Sequence, residues 1–132
     1  MNFILSLSKR VVLGISVALI IASSFLSNAA PAEAATYKVK MGSDSFQLAF
    51  EPRKLKAAPG DTIEFINNKM APHNIVFKDE PFKSLAMKSN KLLYQAGENY
   101  AITIPSDTPA GKYTFYCTPH QGAGMKGKLV VE

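Results

Sequence analysis

Cysteine and histidine are scarce in this chain: its 132 residues include one Cys, Cys117, and two His, His73 and His120. A lone thiol cannot close a disulfide within the chain, so the fold has no covalent staple. No run of basic residues alternates with aromatic side chains, which argues against a nucleic-acid surface. There is no internal repeat and no low-complexity tract. The apolar run 11–26 is too short for a spanning helix, which needs roughly 20 apolar residues. It follows a charged start, Lys9-Arg10, and precedes Ala32-Glu33-Ala34, a small-x-small cleavage site. Residues 1–34 therefore read as a cleavable signal peptide and residues 35–132 as one domain. The Lys9-Arg10 pair gives no support to a twin-arginine signal.

Residues 35–132 hold 13 basic and 9 acidic side chains, a difference of +4. Such a mildly basic surface acts on association rate more than on binding strength. Export normally licenses disulfides, so an unpaired Cys117 must be a reactive thiol, an intermolecular link or a metal ligand.

Past residue 35 short alternating runs are separated by Gly, Pro, Asn and Asp. The candidate strands are Tyr37–Met41, Phe46–Phe50, Thr62–Ile66, Asn74–Phe77, Leu92–Tyr94, Tyr100–Ile104, Lys112–Cys117 and Gly127–Val131. About eight strands at this spacing predict an all-β chain, an antiparallel β-sandwich. Only Pro81–Ser89 has a helical character. On Lys112–Cys117 the period of two places Tyr113, Phe115 and Cys117 on the core face, with Tyr116 facing outward.

The segment Cys117-Thr118-Pro119-His120-Gln121-Gly122-Ala123-Gly124-Met125 sets a thiolate, an imidazole and a thioether within nine residues. His73 lies 44 residues upstream of Cys117 (117 − 73), just before a candidate strand. Two His and one Cys with a weak axial Met form the ligand set of a blue-copper site. Zinc prefers carboxylates or thiolates to a thioether as its fourth ligand. Each residue alone is an ordinary structural feature; together they commit every His and Cys of the chain to one loop and one distant strand. The expected cofactor is one copper ion, held by His73, Cys117, His120 and Met125. Pro119 restricts the loop, Gly122 and Gly124 admit unusual φ angles, and Asn74 is placed to fix the ligand loop by hydrogen bonds. No histidine remains for a further metal site, so an oxidase or nitrite reductase is not expected, and the chain is read as no enzyme.

The chain resembles the plastocyanins, of cyanobacterial precursor type, within the cupredoxin family. The resemblance is carried by 57–65 (AAPGDTIEF), 71–77 (APHNIVF) and 111–125 (GKYTFYCTPHQGAGM), and it spans residues 36–132. It implies a Greek-key sandwich and a blue-copper carrier shuttling single electrons from cytochrome f, in the cytochrome b6f complex, to photosystem I. The setting implied is the thylakoid lumen, where the protein is a monomer peripheral to the membrane. It also implies that His120 is the electron exit within an apolar patch of Leu48, Pro72 and Pro119, flanked by Gly122 and Ala123, and that Tyr116 marks a second docking region. Pseudoazurins share the Cys-x2-His-x4-Met spacing, so another exported carrier of that kind is one alternative. A copper-trafficking protein is another, although such proteins use Met-rich or Cys-rich sites. This sequence departs from the plant pattern in its acidic clusters, of which only Asp79 and Glu80 remain amid Lys78, Lys83, Lys88 and Lys91. Gln121 follows the exposed His, and Lys126 stands after Met125, where an apolar residue is usual.

Overall fold

A computed structural model describes residues 32–132; the expected signal segment lies outside the described residues except for its last three. Eight strands form two facing sheets. They are β1 (Thr36–Met41), β2 (Phe50–Glu51), β3 (Lys54–Ala57), β4 (Thr62–Asn67), β5 (Val76–Phe77), β6 (Asn99–Thr103), β7 (Gly111–Tyr116) and β8 (Lys126–Val131). One sheet has the order β2-β1-β4-β6 and the other β3-β8-β7-β5. The sandwich is as expected, but the pairing within each sheet is mixed. β1 runs parallel to β4, and β3 runs parallel to β8, while the remaining neighbours are antiparallel.

Alternation explains the strands that form. β4 buries Ile63, Phe65 and Asn67 and leaves the residues between them half-exposed; β8 buries Gly127, Leu129 and Val131. Buried positions of both sheets meet in one cluster in which Phe115 contacts Phe50, Phe65 and Phe77 at centroid distances of 4.8, 5.5 and 5.3 Å. Each such ring removed from water is worth about 1.5–3 kcal/mol. Among the described residues the one α-helix, α1 (Phe82–Leu85), is shorter than the stretch expected and buries Phe82 against the Phe77 ring.

Three expected strands differ. Phe46–Phe50 is mostly a turn, because Ser43 and Gly42 close it through backbone bonds with Gln47 and Ala49, and only Phe50 enters a strand. Leu92–Tyr94 contributes an isolated bridge, Leu93 to His73, and Asn74–Phe77 is a strand only at Val76–Phe77. Sequence reading also missed β3, whose Lys-Leu-Lys-Ala run is short and half charged.

The fold positions the candidate ligands through its last hairpin. β7 and β8 pair in register from Gly111–Val131 to Tyr116–Lys126, so the chain between them must close at one end of the sandwich. That connection is a 3₁₀ helix, Thr118–Ala123, ended by Gly124 at φ 83°. Left-handed φ favours glycine, whereas Gly122 keeps an ordinary φ.

Candidate metal centre

Three segments converge at this end. Cys117 follows the last residue of β7 and is fully buried. Its amide donates to the Met125 carbonyl (3.2 Å), and the Met125 amide donates to the His120 carbonyl (3.2 Å), so the loop is cross-braced by its own backbone. His73 arrives from the other part of the chain, held by paired bonds with Leu93: its amide donates to Leu93 O (3.1 Å) and its carbonyl accepts from Leu93 N (2.8 Å).

The donor atoms meet. Cys117 Sγ lies 3.6 Å from His73 Nδ1 and 3.6 Å from His120 Nδ1, and the two Nδ1 atoms are 3.3 Å apart. A triangle with those edges has its centre about 2.0 Å from every corner, the length of a metal bond to a His nitrogen and about 0.3 Å short of one to a Cys sulfur. The donor set and its trigonal spacing therefore fit a transition-metal ion. Met125 is buried at the same loop and tied by backbone to both Cys117 and His120.

Outer contacts fix the orientation of these groups. His73 Nε2 lies 2.6 Å from the Lys69 carbonyl. Since a carbonyl only accepts, Nε2 carries the proton and Nδ1 presents a lone pair toward Cys117. Asn74, fully buried, accepts from Thr118 N through Oδ1 (2.7 Å) and donates through Nδ2 to Thr118 Oγ1 (3.0 Å) and Ser89 O (3.2 Å). Lys69 escaped sequence reading because its contribution is a backbone carbonyl, which no residue type announces.

Burial sets the protonation of these donors. It pushes the Cys117 thiol pKa up, against the opposing pull of backbone N–H groups of Asn74 and His120. It pushes His73 down, with the Lys69 carbonyl opposing and His120 adding to the effect. A neutral imidazole is ready to ligate, while the thiol must release its proton to solvent as a cation binds.

The remaining expected residues surround this end. Leu48, Pro72 and the His120 ring are half-buried, whereas Pro119, Gly122 and Ala123 are exposed. Tyr116 is half-buried on the outward face, in register with Val76 and Lys126, as alternation requires. It lines an open hollow of about 720 Å³ with Lys78, Lys83 and Lys88. Lys126 is exposed on that same outer face. Two exposed apolar residues at this end were not anticipated, Phe46 and Met70, both at positive φ.

Comparison with known proteins accords with this geometry. Residues 37–132 match the family described as copper binding proteins, plastocyanin/azurin family. The chain is 45% identical to a plastocyanin of Nostoc punctiforme, across 100% of this chain and 99% of that one. It is 44% identical to a plastocyanin of Prochlorothrix hollandica, each chain being covered in full. The solved oxidised plastocyanin of the fern Dryopteris crassirhizoma superposes with a TM-score of 0.62 at 32% identity, covering 72% of this chain and 99% of that one. On both its site and these matches, the chain belongs to the plastocyanin/azurin family of copper-binding proteins, as a blue-copper carrier of single electrons with one copper ion.

Proposed function

We propose that residues 35–132, released by cleavage before Ala35, carry electrons from cytochrome f of the cytochrome b6f complex to photosystem I in the thylakoid lumen. The single observation that carries this reading is the triangle of His73 Nδ1, Cys117 Sγ and His120 Nδ1, with all three atoms within 4.8 Å of one another. His73, Cys117, His120 and Met125 would hold the copper ion, the set of two imidazoles, a thiolate and a thioether that suits one-electron copper chemistry. Bound copper supplies one-electron chemistry by alternating between Cu(II) and Cu(I). The chain's own part is to keep the donors still. Lys69 O holds the His73 ring, Asn74 ties the His73 segment to Thr118, and the Cys117–Met125 backbone bond closes the loop. A cage fixed by the fold changes little between oxidation states, and this keeps electron transfer fast.

Transfer to a partner runs through the His120 edge, reached across a surface of Leu48, Pro72, Pro119, Gly122 and Ala123. Tyr116 marks a second approach, edged by cations where plant relatives are acidic. The partners are transient and the protein acts as a monomer at the lumenal side of the membrane, with no catalysis of its own.

Two measurements test the reading. The Cu(II) protein should absorb intensely in the red, and Cys117→Ser should remove that band; a colourless complex defeats the ligand assignment. Reduced protein mixed with illuminated photosystem I particles should be oxidised faster than a generic small reductant, and equal rates defeat the partner assignment.

A further inference from the structure

The positive charge of the domain is not spread evenly. On the β3-β8-β7 part of the second sheet, alternation turns Leu55, Ala57, Leu129, Val131 and Phe115 inward and leaves cations outside. Lys54 and Lys56 stand on β3, Lys126 and Lys128 on β8, Lys112 on β7, and Arg53 leads into β3; all six are exposed. Glu132 is the one carboxylate at this face, and it pairs with Lys56 at 3.2 Å. The face thus sums to +5. Since residues 35–132 total +4, everything else sums to −1.

The arrangement is costly within the molecule. Lys54 and Lys128 are register partners on neighbouring strands, and strands lie about 4.8 Å apart. Like charges placed side by side on a sheet are destabilising. Among the described residues the only other ion pair is Lys40–Asp44, on the opposite sheet, so five of the six cations have no internal counterion. Between Arg53, Lys54, Lys126 and Lys128 lies a shallow hollow of about 290 Å³ floored by Gly127 and edged by Thr114.

We propose that this face is a membrane-binding surface that lies on an anionic lipid bilayer, with a headgroup oxyanion seated in the hollow. The distribution favours a bilayer over an acidic protein. Protein interfaces deplete charge at their centre and place apolar anchors there. Here the central strand carries Lys126 and Lys128, and Val130 is its only outward apolar side chain. An outer sheet face studded with cations suits a surface of anionic headgroups, and clusters of roughly four to eight basic residues bind such surfaces. Seated this way, the strands lie parallel to the bilayer. Tyr116, on the same outer face as Lys126, faces the lipid, so a partner reaches the seated protein by the His120 edge and not by Tyr116. The Cys117–Met125 loop then points along the membrane surface, toward neighbours embedded in it. The inference depends on surface charge alone and needs neither copper nor an electron partner.

The test uses residues 35–132, which lie within one compact unit, Ala34–Glu132. The protein is sedimented with vesicles of phosphatidylcholine alone or phosphatidylcholine with phosphatidylglycerol. Binding is expected only to the anionic vesicles. It should disappear between about 0.01 M and 1 M salt, as the screening length falls from roughly 30 to 3 Å. A Lys54→Gln/Lys126→Gln/Lys128→Gln variant should bind roughly tenfold more weakly or worse. The control Lys38→Gln/Lys83→Gln/Lys91→Gln has the same net charge and should bind nearly as the parent does. Equal loss in both variants, or no binding to anionic vesicles, overturns the proposal. Inorganic phosphate should release the protein more than chloride does at equal ionic strength, because it competes for the seat in the hollow; equal release by the two anions overturns that seat.

Discussion

Asn74 and Thr118 grip one another twice in opposite senses, with Thr118 N donating to Asn74 Oδ1 at 2.7 Å and Asn74 Nδ2 donating to Thr118 Oγ1 at 3.0 Å. The residue after one histidine ligand is thereby fastened to the residue after the thiolate. Asn74→Ala leaves the Thr118 amide without its partner in a part-buried site. Loss of a buried partner costs about 1–3 kcal/mol, so the copper-free domain should unfold at correspondingly lower denaturant. Loss of a contact behind the ligands weakens metal affinity by roughly 10- to 100-fold, readable by competition with a copper chelator. An affinity equal to the parent's would show that Asn74 serves the fold alone.

Gly42 allows the His73 support to exist. A Cβ on Gly42 would collide with the Lys69 carbonyl and come within 3.0 Å of His73 Nε2, and Gly42 sits at φ 85°. Gly42→Ala must therefore push Lys69 O away from the imidazole it holds. The expected result is a shifted and broadened red absorption band with weaker copper binding, beyond any fall in thermal stability. A variant with lower stability but an unaltered spectrum would mean that the histidine stays in place without that carbonyl.

The degree to which the site could be read in the sequence follows from where its parts lie. Cys117, His120 and Met125 share one nine-residue loop, so their spacing is a local signal that survives without a structure. His73 could be joined to them only by exhaustion, as the one other histidine. The Lys69 carbonyl and the Gly42 clearance could not be read at all, because one is backbone and the other is an empty volume. Among the strands, β4 and β8 alternate over six residues and were plain. β3 was hidden because Lys54–Ala57 exposes two lysines and is held by parallel pairing to β8, a partner roughly 70 residues away, beyond the reach of any window in the pattern. Phe46–Phe50 alternated convincingly yet folds as a turn, because the short-range bonds of Gly42 and Ser43 outcompete a strand partner there.

Phe46 and Met70 are large, exposed at 63% and 47%, and held at φ 60° and 61°, where glycine is the easy choice. An L-residue in this conformation costs about 1–2 kcal/mol, and exposure returns little of it. Glycine would relieve that strain but adds about 0.5–1 kcal/mol of unfolded-state entropy. Met70→Gly should therefore raise stability by about 0.5 kcal/mol. Phe46→Gly should gain less, because its ring covers the Lys69 ammonium at 5.2 Å, a contact worth about 0.5–1 kcal/mol at an exposed site. If the two side chains belong to the docking surface proposed above, both variants should be oxidised more slowly by photosystem I despite their stability. A Met70→Gly protein that melts earlier than the parent would assign Met70 to the fold instead.

Asp61 ties the start of the domain to its body. Its carboxylate accepts from Ala35 N at 2.8 Å and from Ala58 N at 2.8 Å, and these bonds, the Ala35 one first, hold its pKa below the ordinary 3.8. Because the folded-state pKa is depressed, the stabilisation is fully present above the unfolded carboxyl's pKa. It is lost as pH falls through the lower folded value. Cleavage before Ala35 would replace that amide donor by an ammonium at the same place, turning a hydrogen bond into a charge-assisted pair. The domain starting at a free Ala35 should then be more stable near neutral pH than its N-acetylated form, which lacks the terminal charge. The difference should fade in acid below the Asp61 pKa. It should fade again in alkali, once the amine, with an ordinary pKa of about 8, loses its proton at a value raised by Asp61. Asp61→Asn should abolish the difference at every pH. A gap between the two forms that ignores pH, or that persists in Asp61→Asn, would place the new amino terminus elsewhere than against Asp61.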